Sequence, residues 1–338
     1  MRVTIAEIAS MAEVSVPTVS KVLNGRPGVS AETRDRVLEL LSEHDYARRG
    51  ASARQRVGLV DFVIFDLSTT WAHQLIIGAE SEAARAGVGL VVTSTHGRRA
   101  GNRHWIRQLS ARRSDGIVLV VSELQAGAEA ELARLNTPIV LIDSHGGADS
   151  TAPIVAATNW AGGLTATEHL LSLGHRRIGI VTGPERLACS RDRLDGYRAA
   201  LSRADIPFDP DLVVYGDFRV AGGEAGAERF FALDDRPTAI FAGSDHQAHG
   251  VYLAAQRAGL SIPRDLSVVG FDDVDLCKWI SPNLTTVRQP LGDMAREATR
   301  MVLELGDPDV EVEPSRRIEL ATSLVVRDST APPPTRSR

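Results

Sequence analysis

The chain reads as an all-α helix-turn-helix head followed by an α/β body of two doubly wound parallel-sheet subdomains. Three observations give that reading. Apolar residues keep a helical spacing through residue 46, residues 47–56 carry no aliphatic side chain larger than alanine, and from Val57 onward short apolar runs alternate with amphipathic helical stretches. A chain of 338 residues with 43% apolar side chains exceeds one ordinary domain and can bury a substantial core.

The head begins with Thr4, followed three residues later by Glu7, a capping box ahead of Ile5, Ile8 and Ala9. Ser15 caps a second helix, 16–23, whose first turn tolerates Pro17. Asn24-Gly25 and Pro27-Gly28 break the chain. Ser30 then caps a third helix with Val37, Leu40 and Leu41 on one face. The turn at Glu13-Val14 is too short for antiparallel packing, so the first two helices cross steeply.

In the body, strands are expected at 57–65, 88–94, 116–122, 138–143, 177–183, 237–243 and 266–271, with helices at 71–86, 162–173, 192–203, 245–258 and 291–305. Strand–helix alternation on this scale implies parallel sheets covered by helices, in two units rather than one. The expected division is a head at 1–46, an Arg-rich hinge at 47–56, and a body at 57–330. Within the body, subdomain N takes 57–157 plus 288–317 and subdomain C takes 158–287 plus 318–330. Residues 331–338, with three prolines, are expected to be a disordered tail.

The net charge of −5 argues weakly against a nucleic-acid partner, but the charge is uneven. Residues 1–56 carry nine Lys/Arg against seven Asp/Glu, and the rest of the chain is acidic. Arg48, Arg49, Arg54 and Arg56 crowd together at the end of the basic segment, as a nucleic-acid-facing end requires. Two isolated cysteines, Cys189 and Cys277, suit a reducing compartment rather than a disulfide framework. The N-terminus lacks a signal-peptide core and no segment is apolar for long enough to span a bilayer, so a cytoplasmic location is expected.

In a helix-turn-helix the start of the second helix faces the major groove. Val16, Pro17 and Lys21 share that face: Lys21 can donate to guanine, and the other two make apolar contacts. Thr4, Ser15, Thr18, Ser20 and Asn24 are short donors suited to phosphates. In the body, ligands of such sheets gather at the carboxyl ends of strands. That picks out Asp143, Ser244, Asp245 and Asp272, with Asp66, Thr70 and Trp71 after the first strand, and Arg193 at the start of its helix. Carboxylates and a guanidinium suit vicinal hydroxyls, and aromatic faces suit a sugar ring. Asn159 is expected to cap its helix, and Trp71 and Trp160 are weaker candidates with an ordinary core role as the alternative. His246 and His249 are spaced i, i+3 but lack a third ligand, so no metal or other cofactor is expected.

The string TIAEIASMAEVSVPTVSKVLNGRPGVSAETRDRVLELLSEHDY resembles the head of the lactose-repressor (lacI) family, and VSxxTVSxVLN followed by VSxxTRxRV is specific to it. GHRRIGIVTGP, RLDGY, PTAIFAGSD, DLSVVGFDD and SPNLTTVRQP are similar to that family's sensor-domain landmarks in their usual order. The resemblance implies a periplasmic-binding-protein-like sensor, a homodimer on a palindromic operator, and a small-molecule effector. It places Arg193, Ser244 and Asp272 on effector-contacting positions, Phe218 on an aromatic platform, and Asp143 on a less regular contact. One departure stands out. The family follows its closing Tyr with Pro-Asn and a short helix bearing a minor-groove leucine, whereas here Tyr46 is followed by Ala-Arg-Arg-Gly and no leucine lies between Tyr46 and Leu59. Arg48 and Arg49 are therefore expected to replace the leucine wedge.

The expected function is a transcriptional repressor released by an effector, with a sugar favoured over an anion because two or more carboxylates face one arginine. A purine-type corepressor is the alternative. A periplasmic sugar carrier fits poorly with a fused head. An enzyme is disfavoured by the lack of GxGxxG after the first strand, of a Walker loop and of a GxSxG elbow. The polar, Pro-rich end favours a dimer over a tetramer.

Overall fold

The computed structural model describes residues 5–23, 29–43, 57–95, 104–120, 128–143, 152–307 and 316–334. The chain divides into two compact units, 1–56 and 57–338. In the first, α1 (Ile5–Met11), α2 (Val16–Leu23) and α3 (Ala31–Glu43) enclose Ile8, Ala9, Ala12, Val19, Val22, Val37 and Leu41. Glu13 takes φ 55°, which turns the chain sharply between α1 and α2. Ser15 and Ser30 cap as expected, their Oγ atoms accepting from the backbone of Thr18 and Thr33 at 3.3 and 3.2 Å. Arg36 ties α3 to the end of α1 by donating to the Ala12 carbonyl at 2.7 Å.

The second unit has two lobes. Lobe 1 runs β1 (Leu59–Ile64), α4 (Thr70–Arg85), β2 (Gly89–Ser94), α5 (His104–Arg112), β3 (Gly116–Val120), α6 (Ala128–Ala133), β4 (Ile139–Ile142) and β5 (Ile154–Ala157). Lobe 2 runs α7 (Asn159–Ser172), β6 (Ile178–Thr182), α8 (Ala188–Arg203), β7 (Val213–Tyr215), α9 (Val220–Phe231), β8 (Ala239–Ala242), α10 (Asp245–Arg257), β9 (Ser267–Asp272), α11 (Leu276–Trp279) and β10 (Thr285–Arg288). The chain then returns through α12 (Leu291–Leu305) and β11 (Arg317–Leu320) to lobe 1, and ends with β12 (Ser323–Val325) in lobe 2. The sheet orders are β11-β5-β4-β3-β1-β2 and β12-β10-β9-β8-β6-β7. All neighbours are parallel except β12 against β10.

Strand alternation decides which residues pack where. On β1, Val60, Phe62 and Ile64 meet α4 and α12 through Leu75, Met294 and Met301, while Val63 meets Trp105, Ile106 and Leu109 of α5 on the other face. Both faces of each sheet are covered, which is why the parallel strands read as apolar runs.

Three expectations need correction. Arg288 pairs opposite Asp272 in the lobe 2 ladder, and Leu320 pairs opposite Ala157 in lobe 1. The last two crossings therefore fall at 289–290 and 321–322, not at 287/288 and 317/318. Residues 331–334 are not a loose tail: Ala331 exchanges hydrogen bonds with Ser267 Oγ at 3.0 Å each way, and Pro333 lies beside Gly174. The proline count concealed the backbone partners that anchor them. α8 begins at Ala188, so Arg193 lies inside the helix; Leu187 at its N-cap makes no side-chain cap, and the sequence carries no start signal.

Candidate functional site

The carboxyl ends of both sheets bring together a buried polar cluster, and Arg193 is its centre. The residue is 3% exposed. Its Nε donates to Asn159 Oδ1 at 2.9 Å and its Nη1 to the Gly243 carbonyl at 2.5 Å. The guanidinium lies over two rings, 3.8 Å from the Phe271 centroid and 5.4 Å from that of Phe218. A desolvated cation over aromatic faces is favourable, which helps offset the burial of charge. α7 approaches α8 closely here: a Cβ at Gly163 would fall 2.3 Å from the Arg193 carbonyl oxygen.

Three predicted positions share an unusual backbone. Asp143, Phe218 and Asp272 have φ of 53°, 63° and 116°, and Asp273 follows at 60°. Such conformations cost energy in residues other than glycine and concentrate at functional sites. Asp143 directly follows β4 in lobe 1 and accepts from Asn159 Nδ2 at 3.0 Å. Asp272 ends β9 in lobe 2, is 4% exposed, and accepts from Gln289 Nε2 at 2.6 Å. Burial pushes its carboxyl well above the usual range, and the Arg193 charge opposes that shift. Phe218 is seated over Gly183, where an added Cβ would fall 2.0 Å from Cζ.

Other predicted residues have different work. Ser244 caps α10, accepting from the Gln247 backbone at 3.1 Å, and gives its proton to the Phe218 carbonyl at 3.1 Å. It therefore holds the Phe218 loop in place. Asp66 accepts from the Ser68 backbone and from Arg219 of lobe 2; those bonds bring its carboxyl to about 2, the Ser68 contribution being the larger. Trp71, in the first turn of α4, packs on the lobe 1 core. Asp245 belongs to the core, accepting from Thr286 Oγ1 at 2.6 Å and the Val274 backbone at 2.9 Å, and burial lifts its carboxyl to about 6. Trp160 is 43% exposed.

Sequence reasoning missed Asn159 and Gln289. Asn159 makes no cap; it bridges Asp143 and Arg193 instead. Both residues sit at lobe crossings, beside a third pairing in which Thr322 donates its backbone N–H to Thr158 Oγ1 at 2.9 Å. A polar residue between a strand end and a helix start was the available signal. Gln289 Oε1, Gln247 Oε1 and Ser190 Oγ are buried without a hydrogen-bond partner among the described residues. Such atoms are costly unless a ligand or water serves them.

On the head, Ser15, Val16, Pro17 and Lys21 are exposed while Val19 and Val22 of the same helix are buried. Thr18 and Ser20 are half-buried, and the Thr18 hydroxyl lies 2.8 Å from Ser15 Oγ. Thr4, Asn24, Arg48 and Arg49 lie outside the described residues. Among the described residues no group of three His, Cys, Asp or Glu is placed to hold a metal ion. None of the helices there is long and apolar enough to cross a membrane.

Two family models match the chain: bacterial regulatory proteins of the lacI family over residues 4–49, and a periplasmic binding protein-like domain over residues 167–330. The ribose operon repressor of Haemophilus influenzae is 31% identical over 330 residues, 96% of this chain and 98% of that protein. The HTH-type transcriptional repressor PurR of Aliivibrio salmonicida is 31% identical over 89% of this chain and 91% of its own. Among solved structures, a transcriptional regulator CelR–cellobiose complex is 28% identical with a TM-score of 0.74, covering 97% of this chain and 100% of that one. The lac repressor dimer bound to operator and the anti-inducer ONPF is 26% identical with a TM-score of 0.71, covering 98% and 100%.

Proposed function

The chain belongs to the lacI family of bacterial regulatory proteins and is a transcriptional repressor with a ligand-binding domain, and from that premise we propose that a homodimer of it holds a palindromic operator and is released by a sugar bound between the lobes. The observation that carries the sugar assignment is the cluster around Arg193. One guanidinium, backed by two phenylalanine rings, faces two carboxylates of which Asp272 is displaced toward its neutral form. Hydroxyl groups donate to carboxylates and accept from a guanidinium, and a sugar ring offers an apolar face to Phe218. An anionic ligand would meet carboxylate repulsion. The relatives described as ribose operon repressors, and solved structures described with bound ribose and cellobiose, support the same chemistry.

In this reading Asp66, Trp71, Asp143, Arg193, Phe218, Ser244 and Asp272 line or support the cleft. Ser15, Val16, Pro17, Thr18, Ser20 and Lys21 of the head meet DNA, with Thr4, Asn24, Arg48 and Arg49 assigned the same role from sequence. Ligand binding draws the lobes together about the three crossings. Differential affinity of the ligand for the two lobe arrangements then supplies the free energy that weakens operator binding. The PurR relatives favour a purine in the same cleft as the second reading. A thermal-shift screen of the full-length protein with ribose, cellobiose and guanine separates the two. A rise in melting temperature with a sugar supports the proposal, and a rise with guanine alone overturns it.

A further inference from the structure

Asn159 is where the polar groups of the two lobes meet. It is the first residue of α7, directly after the first crossing, and is 5% exposed. Its Nδ2 donates to Asp143 Oδ1 of lobe 1 at 3.0 Å and to the Ala157 carbonyl at 3.3 Å. Its Oδ1 accepts from Arg193 Nε of lobe 2 at 2.9 Å. An ionised carboxylate only accepts and a guanidinium only donates, so the side chain between them needs one donor and one acceptor. An amide is the group of that size that has both, and its two partners fix which way round it lies.

We infer that Asn159 is a positioning residue of effector recognition, linking the lobe 1 carboxylate Asp143 to the lobe 2 guanidinium Arg193, and that its being an amide sets the cleft's charge for an uncharged ligand. The inference rests on the reading of the cleft as an effector site. An aspartate at 159 would keep the acceptor for Arg193 but lose the donor to Asp143, leaving two carboxylate oxygens where a hydrogen bond of 3.0 Å now stands. Carboxylates that close share a proton, whose pKa is raised. The charged groups bonded to Asn159 are Asp143, directly after β4, and Arg193 on α8; both also act on the buried thiol of Cys189, together with Asp272 of β9 and Asp192 of α8. Cys189 is pushed up to about 12 by burial and stays a thiol.

The test uses the full-length protein with 15N-labelled arginine. Without ligand, the Arg193 Nε–H should exchange slowly with water in the wild type. It should exchange about tenfold faster or more in Asn159→Ala, and stay protected in Asn159→Asp, which keeps an acceptor. Asn159→Asp should also lose thermal stability relative to the wild type as pH rises from about 5 to about 8, because a proton shared in the folded state stabilises it at low pH and is lost above the raised pKa. Among ribose, cellobiose and guanine, the probe that stabilises the wild type should bind Asn159→Ala about tenfold more weakly at every pH. It should bind Asn159→Asp with a deficit that grows as pH rises. Arg193 exchange unchanged in Asn159→Ala overturns the positioning role. A pH-independent difference between Asn159→Asp and the wild type overturns the charge-setting role. Should none of the three probes bind, the effector reading fails, while the two ligand-free measurements still decide both roles.

Discussion

Arg219, the N-cap residue of α9 in lobe 2, pairs with Asp66 in the loop after β1 of lobe 1, so an ion pair joins the lobes away from the covalent crossings. Thr70 Oγ1 and His246 Nε2, 3.5 Å apart, add a second polar approach between the same lobes. The side chains of Arg219 and Asp66 are 47% and 26% exposed, and pairs that exposed contribute about 0.2–1 kcal/mol. Arg219→Gln should therefore shift the ligand-free protein toward more open arrangements by a few-fold without unfolding it. Distance distributions between spin labels on the two lobes check this. Asp66→Asn should give the same shift and the double variant no more than either; additive shifts would mean the two side chains are not coupled.

Arg193 uses its forked shape, with Nε on Asn159, Nη1 on the Gly243 carbonyl and the plane against Phe271. Lysine keeps the charge but not the fork or the stack. Arg193→Lys should lose ligand binding nearly as fully as Arg193→Ala, with operator binding retained in both. Titration calorimetry with the stabilising sugar and operator anisotropy together check this, and full affinity in Arg193→Lys would contradict it.

On α2, exposure separates the residues proposed to meet DNA from those that hold the head. Val16 is 42% exposed and Val19 is fully buried. Val16→Ala should weaken operator binding and leave the head's melting unchanged, whereas Val19→Ala should destabilise the head by about 1–3 kcal/mol. Lys21→Ala should reduce both affinity and the slope of its salt dependence. Circular dichroism melts and anisotropy at several salt concentrations measure these effects.

His175 links the C-terminal segment to lobe 2. Its Nε2 lies 2.8 Å from the Ala331 carbonyl, which only accepts, so Nε2 carries hydrogen and Nδ1 faces Thr238 Oγ1 at 2.8 Å. Burial holds His175, His169, His246 and His249 below the ordinary imidazole value. The unfolded chain then takes up protons first as pH falls below about 6.5, so stability is full above that pH and declines below it. The melting temperature should fall between about pH 7 and about pH 5, and His175→Gln should flatten part of that slope. An unchanged slope in His175→Gln would contradict this role.

Fold class was legible because parallel strands buried on both faces leave long apolar runs, as in β3 and β6. Strand β7 has three residues, and β10, Thr-Thr-Val-Arg, carries one aliphatic side chain, so neither leaves an apolar run to read. Asp143, Arg193, Phe218 and Asp272 were legible as strand-end or motif residues, and the structure gathers them around Asn159, Gly243 and Gln289. An Asn at a helix start usually caps it, but the side-chain partners of Asn159 lie 16 residues before and 34 residues after it, beyond the reach of local pattern. The anchoring of 331–334 leaves no mark in the sequence for the same reason, since Ser267 and His175 are distant along the chain.

Release of the operator by an effector is tested by operator affinity with and without sugar, on a duplex selected from a random library. Coupling between two ligands is reciprocal. Ribose or cellobiose, whichever stabilises the protein, should weaken operator binding, and operator should weaken binding of that sugar by the same factor. A stabilising sugar that leaves operator affinity unchanged, or guanine alone binding and tightening the complex, would contradict release by a sugar.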